Sequence, residues 1–142
     1  MNMNKTIKHF AYIGRAQNRE FEWGKHDCLT FLFSWYDYVF GTNHANGIIN
    51  EYHSRSSALR FWRNYPMSVN QWMHLRKFSK LENTPAIEGD VRIIDNEKRM
   101  FPSAYIYHNG AWWTMREGDG TRAVMGNSLT DENSTHWRIK NG

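Results

Sequence analysis

The chain has 142 residues, which suits a single domain over 1–142, and 18 Lys and Arg against 14 Asp and Glu give a net charge of +4. This mild excess fits an anionic partner without selecting nucleic acid, cell wall or protein. The single cysteine excludes an internal disulfide, and no stretch is apolar over the length of a membrane span. The polar N-terminus has no signal-peptide core, so we expect synthesis in the cytoplasm without a signal peptide.

The first half of the chain has apolar residues at helical spacing. The first predicted helix covers 5–17, and one of its faces carries Ile7, Phe10, Ala11 and Gly14. The second covers 27–40, directly before the helix-stopping Gly41. Two shorter helices are predicted over 56–64 and 68–78, and a polar linker over 80–85 closes this half.

The second half changes to the two-residue period of β-strands. Asn109-Gly110 is a strong signal for a tight hairpin between two of them. The predicted strands cover 90–94, 103–108, 111–116, 122–125 and 136–139. Helices followed by meandering strands indicate an α+β fold, in which a helical half packs on a small antiparallel sheet.

Cys28 lies where a polar turn meets the second predicted helix. Asp27 is placed to cap that helix, and the free N–H groups of the first turn favour an anion. A cysteine there can have its pKa lowered from about 8.5 to roughly 3.5–7.5 if a cation or an imidazole lies near. This makes Cys28 a candidate nucleophile. A small buried apolar side chain is the alternative, and position alone supports both.

A resemblance to a known family starts at this cysteine, in the segment Phe21-Glu22-Trp23-Gly24-Lys25-His26-Asp27-Cys28-Leu29-Thr30-Phe31. The segment resembles the nucleophile region of NlpC-type cell-wall cysteine peptidases, and most closely a phage and prophage branch of that papain-like superfamily. Two later segments resemble the family's first core strand and closing strand, Glu88-Gly89-Asp90-Val91 and Trp137-Arg138-Ile139. The resemblance implies a minimal papain-like fold with Cys28 as the nucleophile.

The same resemblance implies where the catalytic base should stand. The family's histidine opens the strand after the Gly-Asp-Val strand, and this chain has Ser103 there, which cannot accept a proton from a thiol near neutral pH. His108 is the obvious substitute, but it lies roughly 16 Å farther along the strand. Because it also faces the opposite way, we interpret it as an exposed hairpin histidine. His26 is the other candidate base, and we interpret it as polar turn chemistry.

No cofactor or metal site is predicted from the remaining residues. His9, His44, His53 and His74 have no partner spacing, and one cysteine rules out a thiolate zinc cluster. The sequence has no phosphate loop or nucleic-acid-binding motif, so we expect no nucleic-acid partner. Trp112 and Trp113 must point to opposite faces of their strand, so we expect at least one on the outer side. An exposed tryptophan there can dock a partner, and the alternative is that it packs under a helix.

Three functions fit these observations. The first is a phage-encoded virion or tail-associated protein that keeps a peptidase-like fold as a structural or docking module and is catalytically impaired. The second is an active cysteine amidase or endopeptidase that cleaves peptidoglycan peptides. The third is a small host-interaction or inhibitor protein that uses exposed aromatic residues. Ser103 at the position of the base favours the first, with other virion or tail proteins as partners.

Overall fold

The structure is a computed structural model that describes residues 1–95, 101–118, 120–124 and 134–140, without the side chain of Val124. Within these residues, helices precede a six-stranded antiparallel sheet, so the fold is α+β as predicted. The helices are α1 (Met3–Ala16), α2 (Cys28–Phe40), α3 (Arg55–Arg63) and α4 (Val69–Leu75), with a 3-10 turn at Ala45–Gly47. The strands are β1 (Phe78–Leu81), β2 (Val91–Ile94), β3 (Ser103–His108), β4 (Ala111–Arg116), β5 (Gly120–Val124) and β6 (Ser134–Ile139).

The sheet has the order β1-β6-β2-β3-β4-β5. The hairpin of β3 and β4 turns at Asn109-Gly110 as predicted, and both residues have positive φ, 51° and 81°. This conformation suits Asn and Gly and matches the twist of the flanking strands. The predicted strand end at Met125 lies outside the described residues.

Strand β1 lies where the sequence predicts the end of the fourth helix, over 68–78, and the start of a polar linker, over 80–85. The helix instead ends at Leu75, and Lys77 takes a positive φ of 65°. The chain then pairs with β6, with Phe78 opposite Ile139. Strands β1 and β6 are separated by most of the second half of the chain, so neighbouring residues in the sequence do not indicate that they pair.

Helix α2 is the centre of the core, although its 13 residues are one fewer than those of α1. Leu29, Leu32 and Phe33 are completely buried, as expected for a helix that is apolar nearly all round. Phe31 and Trp35 are also buried, at 2% and 1% exposure. The helix packs on α1, β3 and β4.

Helix α1 packs with the face opposite to its apolar sequence stripe. Tyr12 and Ile13 are buried, and the Tyr12 hydroxyl donates to the Phe31 carbonyl over 3.0 Å. Ile7 and Phe10, in contrast, are 60% and 47% exposed. The polar contacts of the buried face therefore select the orientation of α1, and its apolar stripe is left outside.

The other face of the sheet is also largely covered. Trp112 and Trp113 point to opposite faces as predicted, but Trp112 is only 2% exposed and Trp113 is half-buried. The two tryptophans therefore lie on different faces of the sheet as expected, but neither is exposed. None of the helices in the described part of the chain is long and apolar enough to cross a membrane.

Candidate functional site

Cys28 is the first residue of α2, and Asp27 caps the helix, as predicted. Asp27 Oδ1 accepts hydrogen bonds from the N–H groups of Leu29 and Thr30 over 3.0 and 2.9 Å. The Thr30 hydroxyl in turn accepts from the Asp27 N–H over 2.8 Å. This capping box satisfies the free donors of the first turn and fixes the position of the cysteine.

The second carboxylate oxygen of Asp27 holds the preceding loop in place. It accepts from the Tyr52 hydroxyl over 2.7 Å and from the Gly24 N–H over 2.9 Å. Gly24 has φ of 82°, and a Cβ there would lie 1.9 Å from the Tyr52 carbonyl oxygen. Only glycine fits this approach. Asp27 is fully buried and each of its oxygens accepts two hydrogen bonds, so it is committed to the fold.

The Cys28 thiol is buried and protonated. The residue is 6% exposed, and its Sγ donates to the Pro102 carbonyl over 3.4 Å. Burial raises the pKa of the thiol well above its ordinary value, and the Asp27 carboxylate raises it further. The backbone N–H of Ala104 on β3, followed by those at the start of α2, acts in the opposite direction with a smaller effect. The condition for a lowered pKa, a cation or an imidazole near the thiol, is not met in the described part of the chain, and desolvation outweighs the helix terminus.

The start of β3 lies beside the thiol, and Ser103 is the first residue of that strand. Strand alternation puts Ser103 on the same face as Tyr105, and puts Ala104 among the buried residues on the face that packs against α2. Neither position supplies an imidazole. Among the described residues, the partner that accepts the thiol hydrogen is a backbone carbonyl and not a histidine.

Aromatic side chains join the two segments that flank the thiol. Trp23 packs edge-to-face on Phe101 with ring centroids 5.3 Å apart, and on Phe21 with centroids 4.9 Å apart. The Trp23 indole N–H also donates to Glu117 Oε2 over 2.7 Å. These contacts tie the cysteine loop to the segment before β3 and to the end of the β4–β5 hairpin.

His26 belongs to the turn before the cysteine, as interpreted from the sequence. Its backbone N–H donates to the Glu22 carbonyl over 2.8 Å, and its side chain is half-buried. Burial lowers the pKa of His26, and the positive charge of Arg19 lowers it further. A neutral imidazole offers no cation to stabilise a thiolate.

His108 is not the exposed hairpin histidine that the sequence predicted. It is 8% exposed, and its Nδ1 lies 3.0 Å from Glu88 Oε2. The same oxygen lies 2.8 Å from Nε2 of His9, which is fully buried. The other oxygen of Glu88 accepts from the Asn109 N–H. The Glu88 carboxylate thus covers His108 and binds the hairpin to α1. We call these three side chains, His9, Glu88 and His108, the imidazole cluster.

The cluster has the donor set of a metal site, because one ligand atom from each residue lies within 4.8 Å of the others. The proton positions argue against a metal. The Trp35 indole N–H donates to His9 Nδ1 over 2.9 Å, so the proton of a neutral His9 is on Nε2 and points at Glu88. A metal on Nε2 would move that proton to Nδ1, where it would face the Trp35 N–H.

The charges of the cluster agree with a hydrogen-bonded arrangement. Burial lowers the pKa of His9, and this effect exceeds the opposing influence of Glu88. For Glu88, burial acts to raise the pKa, but the Asn109 N–H and the two imidazoles together lower it by more. A neutral His9 therefore donates to an ionised Glu88. These residues are far apart in the sequence, and no spacing rule could have found them.

A second buried carboxylate explains the Gly-Asp-Val motif. Asp90 is 1% exposed and lies 2.7 Å from His136 Nε2. It also accepts from Nε and Nη2 of Arg138 over 2.9 and 2.8 Å. Burial acts to raise the pKa of Asp90, but His136 and Arg138 together lower it by more. The motif therefore ties β2 to β6.

Comparison with known proteins gives one match. A family model described as a domain of unknown function, DUF6950, matches residues 4–138. No curated protein and no solved structure shows a significant match. Because the family model covers nearly the whole chain, the chain belongs to the DUF6950 family.

Proposed function

We propose that this member of the DUF6950 family is a structural or docking protein that keeps a peptidase-like fold without hydrolytic activity. The observation that carries the proposal is the Cys28 thiol, which is buried, has a raised pKa and donates to the Pro102 carbonyl. The resemblance of the cysteine segment to phage and prophage proteins suggests its setting. In that setting the chain is made in the host cytoplasm and is incorporated into a virion or tail, with other virion proteins as partners.

A thiol hydrolase needs an imidazole that takes the thiol proton and later gives it to the leaving amine. The buried histidines of the described residues are hydrogen-bonded elsewhere. His9 and His108 bind Glu88, and His136 binds Asp90. The absence of a general acid and base lowers the rate by roughly 10²–10⁴-fold, so we expect any turnover to be very slow.

The test is incubation of the purified full chain with peptidoglycan fragments beside the Cys28→Ala variant. We expect the two proteins to release the same background amount of cleaved peptide. Release by the parent chain but not by Cys28→Ala would overturn the proposal.

That outcome would support the second candidate, a cysteine amidase or endopeptidase that acts on peptidoglycan peptides. One observation favours this candidate, namely that Cys28 stands at a helix N-terminus beside the first residues of β3. Variants of His108 and then His26 would identify the base. The third candidate, a host-interaction or inhibitor role, would use exposed aromatic residues. Trp112 is buried, whereas Phe10 and Tyr38 are 47% and 39% exposed.

A further inference from the structure

The outward face of α1 carries large apolar side chains that remain exposed in the described part of the chain. Met3 is 76% exposed, Ile7 is 60% exposed and Phe10 is 47% exposed. With the exposed Gly14 they follow a spacing of four, three and four residues. This is the spacing of the apolar seam along which two helices pack in a coiled coil. We call these four residues the outer stripe.

The outer stripe cannot turn into the core. The opposite face of α1 is held by the His9 hydrogen bonds to Glu88 and Trp35 and by the Tyr12 hydrogen bond to Phe31. At Gly14, nothing lies within 4 Å of where a Cβ would stand. A second helix can therefore approach the backbone of α1 closely at that end.

Phe10 is held in position before any partner arrives. Its ring packs edge-on against His108 with centroids 4.6 Å apart. His108 is oriented by Glu88, so the imidazole cluster supports an aromatic residue that is still half exposed. An aromatic anchor that loses little freedom on binding is typical of a binding hot spot.

The charges around the outer stripe indicate the chemistry of the partner. Helix α1 contains Lys5, Lys8 and Arg15 and no acidic residue. Lys8 and Arg15 lie three residues before and four residues after the exposed Ala11, so they line one side of the stripe. Neither forms a salt bridge within the described residues. A second copy of this chain would bring like charges together, whereas an acidic helix would complement them.

We infer that the outer stripe docks an acidic amphipathic helix of another protein. The inference rests on the proposed docking function and names its surface. A helix is favoured over a lipid surface because the exposed apolar stripe is narrow and has heptad spacing, while the rest of α1 is buried against the protein or polar. The partner contributes apolar residues to the seam and Glu or Asp to the side that faces Lys8 and Arg15.

The test uses a designed amphipathic peptide with Leu at the seam positions and Glu beside them, and a matched peptide in which Lys replaces each Glu. Binding of each to the full chain is measured by fluorescence anisotropy at low and high salt. We expect the acidic peptide to bind the parent chain at least about tenfold more tightly than the basic one. Ile7→Ser and Phe10→Ser should each weaken the acidic peptide about tenfold or more.

Leu75→Ser is the matched control. Leu75 is a large apolar side chain that is 55% exposed, as Ile7 and Phe10 are largely exposed, but it lies on α4. It should leave binding unchanged, and thermal unfolding should show that all three variants are folded. The inference is overturned if the acidic peptide does not bind, if the basic peptide binds equally well, or if Leu75→Ser weakens binding as much as Phe10→Ser. Self-association of the parent chain, or binding to anionic vesicles in place of the peptide, would also overturn it. The peptidoglycan assay does not depend on peptide binding. Failure of the docking inference and failure of the proposed non-hydrolytic function are therefore seen in different experiments.

Discussion

The Cys28 thiol lies at one end of strand β3, and two imidazoles lie at the other end. At the Ser103 end, the Cys28 thiol donates to the Pro102 carbonyl with no imidazole as its partner. At the other end, His108 and His9 share the Glu88 carboxylate. The ends are separated by roughly 16 Å of extended strand. The thiol therefore serves packing at one end, and the imidazoles serve attachment of α1 to the sheet at the other.

The difference shows how the surroundings of a side chain, and not its type, decide its chemistry. A helix N-terminus favours a thiolate, but at Cys28 burial and a neighbouring carboxylate act more strongly in the opposite direction. An imidazole pair beside a carboxylate suggests a metal, but the Trp35 N–H fixes the proton of His9 where a metal would bind. Variants at each end test this comparison.

The largest effect is expected at the imidazole end, from Trp35→Ala. Trp35 is 1% exposed, packs in the core and donates to His9. We expect the free energy of unfolding to fall by about 3–5 kcal/mol in urea denaturation. Trp35→Phe, which keeps most of the ring volume but not the N–H, should cost less. A loss under about 0.5 kcal/mol in Trp35→Ala would show that this face of α2 is not buried.

At the thiol end, the largest expected effect comes from Gly24→Ala. The new Cβ would meet the Tyr52 carbonyl and displace the loop whose N–H donates to Asp27. Gly41→Ala is the control, because Gly41 has a similar φ of 72° but open space around it. Gly41→Ala should cost about 1 kcal/mol in unfolding free energy, from backbone conformation alone. Gly24→Ala should cost at least about 2 kcal/mol more, and equal losses would contradict the close approach.

A smaller effect is expected from Glu88→Gln. Glu88 now accepts hydrogen bonds from His9, His108 and Asn109. In the variant, the amide NH₂ would face one of these donors. We expect the free energy of unfolding to fall by about 1–2 kcal/mol near neutral pH. The change is no larger because water screens the exposed part of this carboxylate. The loss should shrink below pH about 4.5, because the pKa of Glu88 is lowered in the folded state and its stabilisation disappears as it is protonated. A loss that does not change with pH would contradict the role of its charge.

The smallest expected effect is the contribution of His9 to the pH dependence of the free energy of unfolding. Burial lowers the pKa of His9 in the folded state, so below pH about 6.5 the unfolded chain binds the proton first. Stability should therefore fall as the pH drops from 6.5, by at most about 1.4 kcal/mol per pH unit from this one group. NMR titration of the His9 ring checks the cause. A ring that becomes protonated above pH 6.5 would contradict it.

The parts of the fold that depend on local signals were predicted. The spacing of α2, the Asp27 cap and the Asn109-Gly110 turn are all written in neighbouring residues, and the structure has each of them. The parts that depend on distant pairing were not predicted. Strand β1 needs β6, and the imidazole cluster joins α1, the loop before β2 and the end of β3. The apolar residues of α1 were visible, but only tertiary packing decides that the face with Ile7 and Phe10 stays outside.

The measurement that tests the central claim most directly is the pH dependence of Cys28 alkylation by iodoacetamide. Cys28 is the only cysteine, so the rate reports one thiol. We predict that at neutral pH the folded chain reacts at least about a hundredfold more slowly than the chain in urea, with no inflection at or below the ordinary thiol pKa of about 8.5. Fast alkylation of the folded chain with an inflection between about pH 4 and 8 would reveal an activated thiolate and contradict the account.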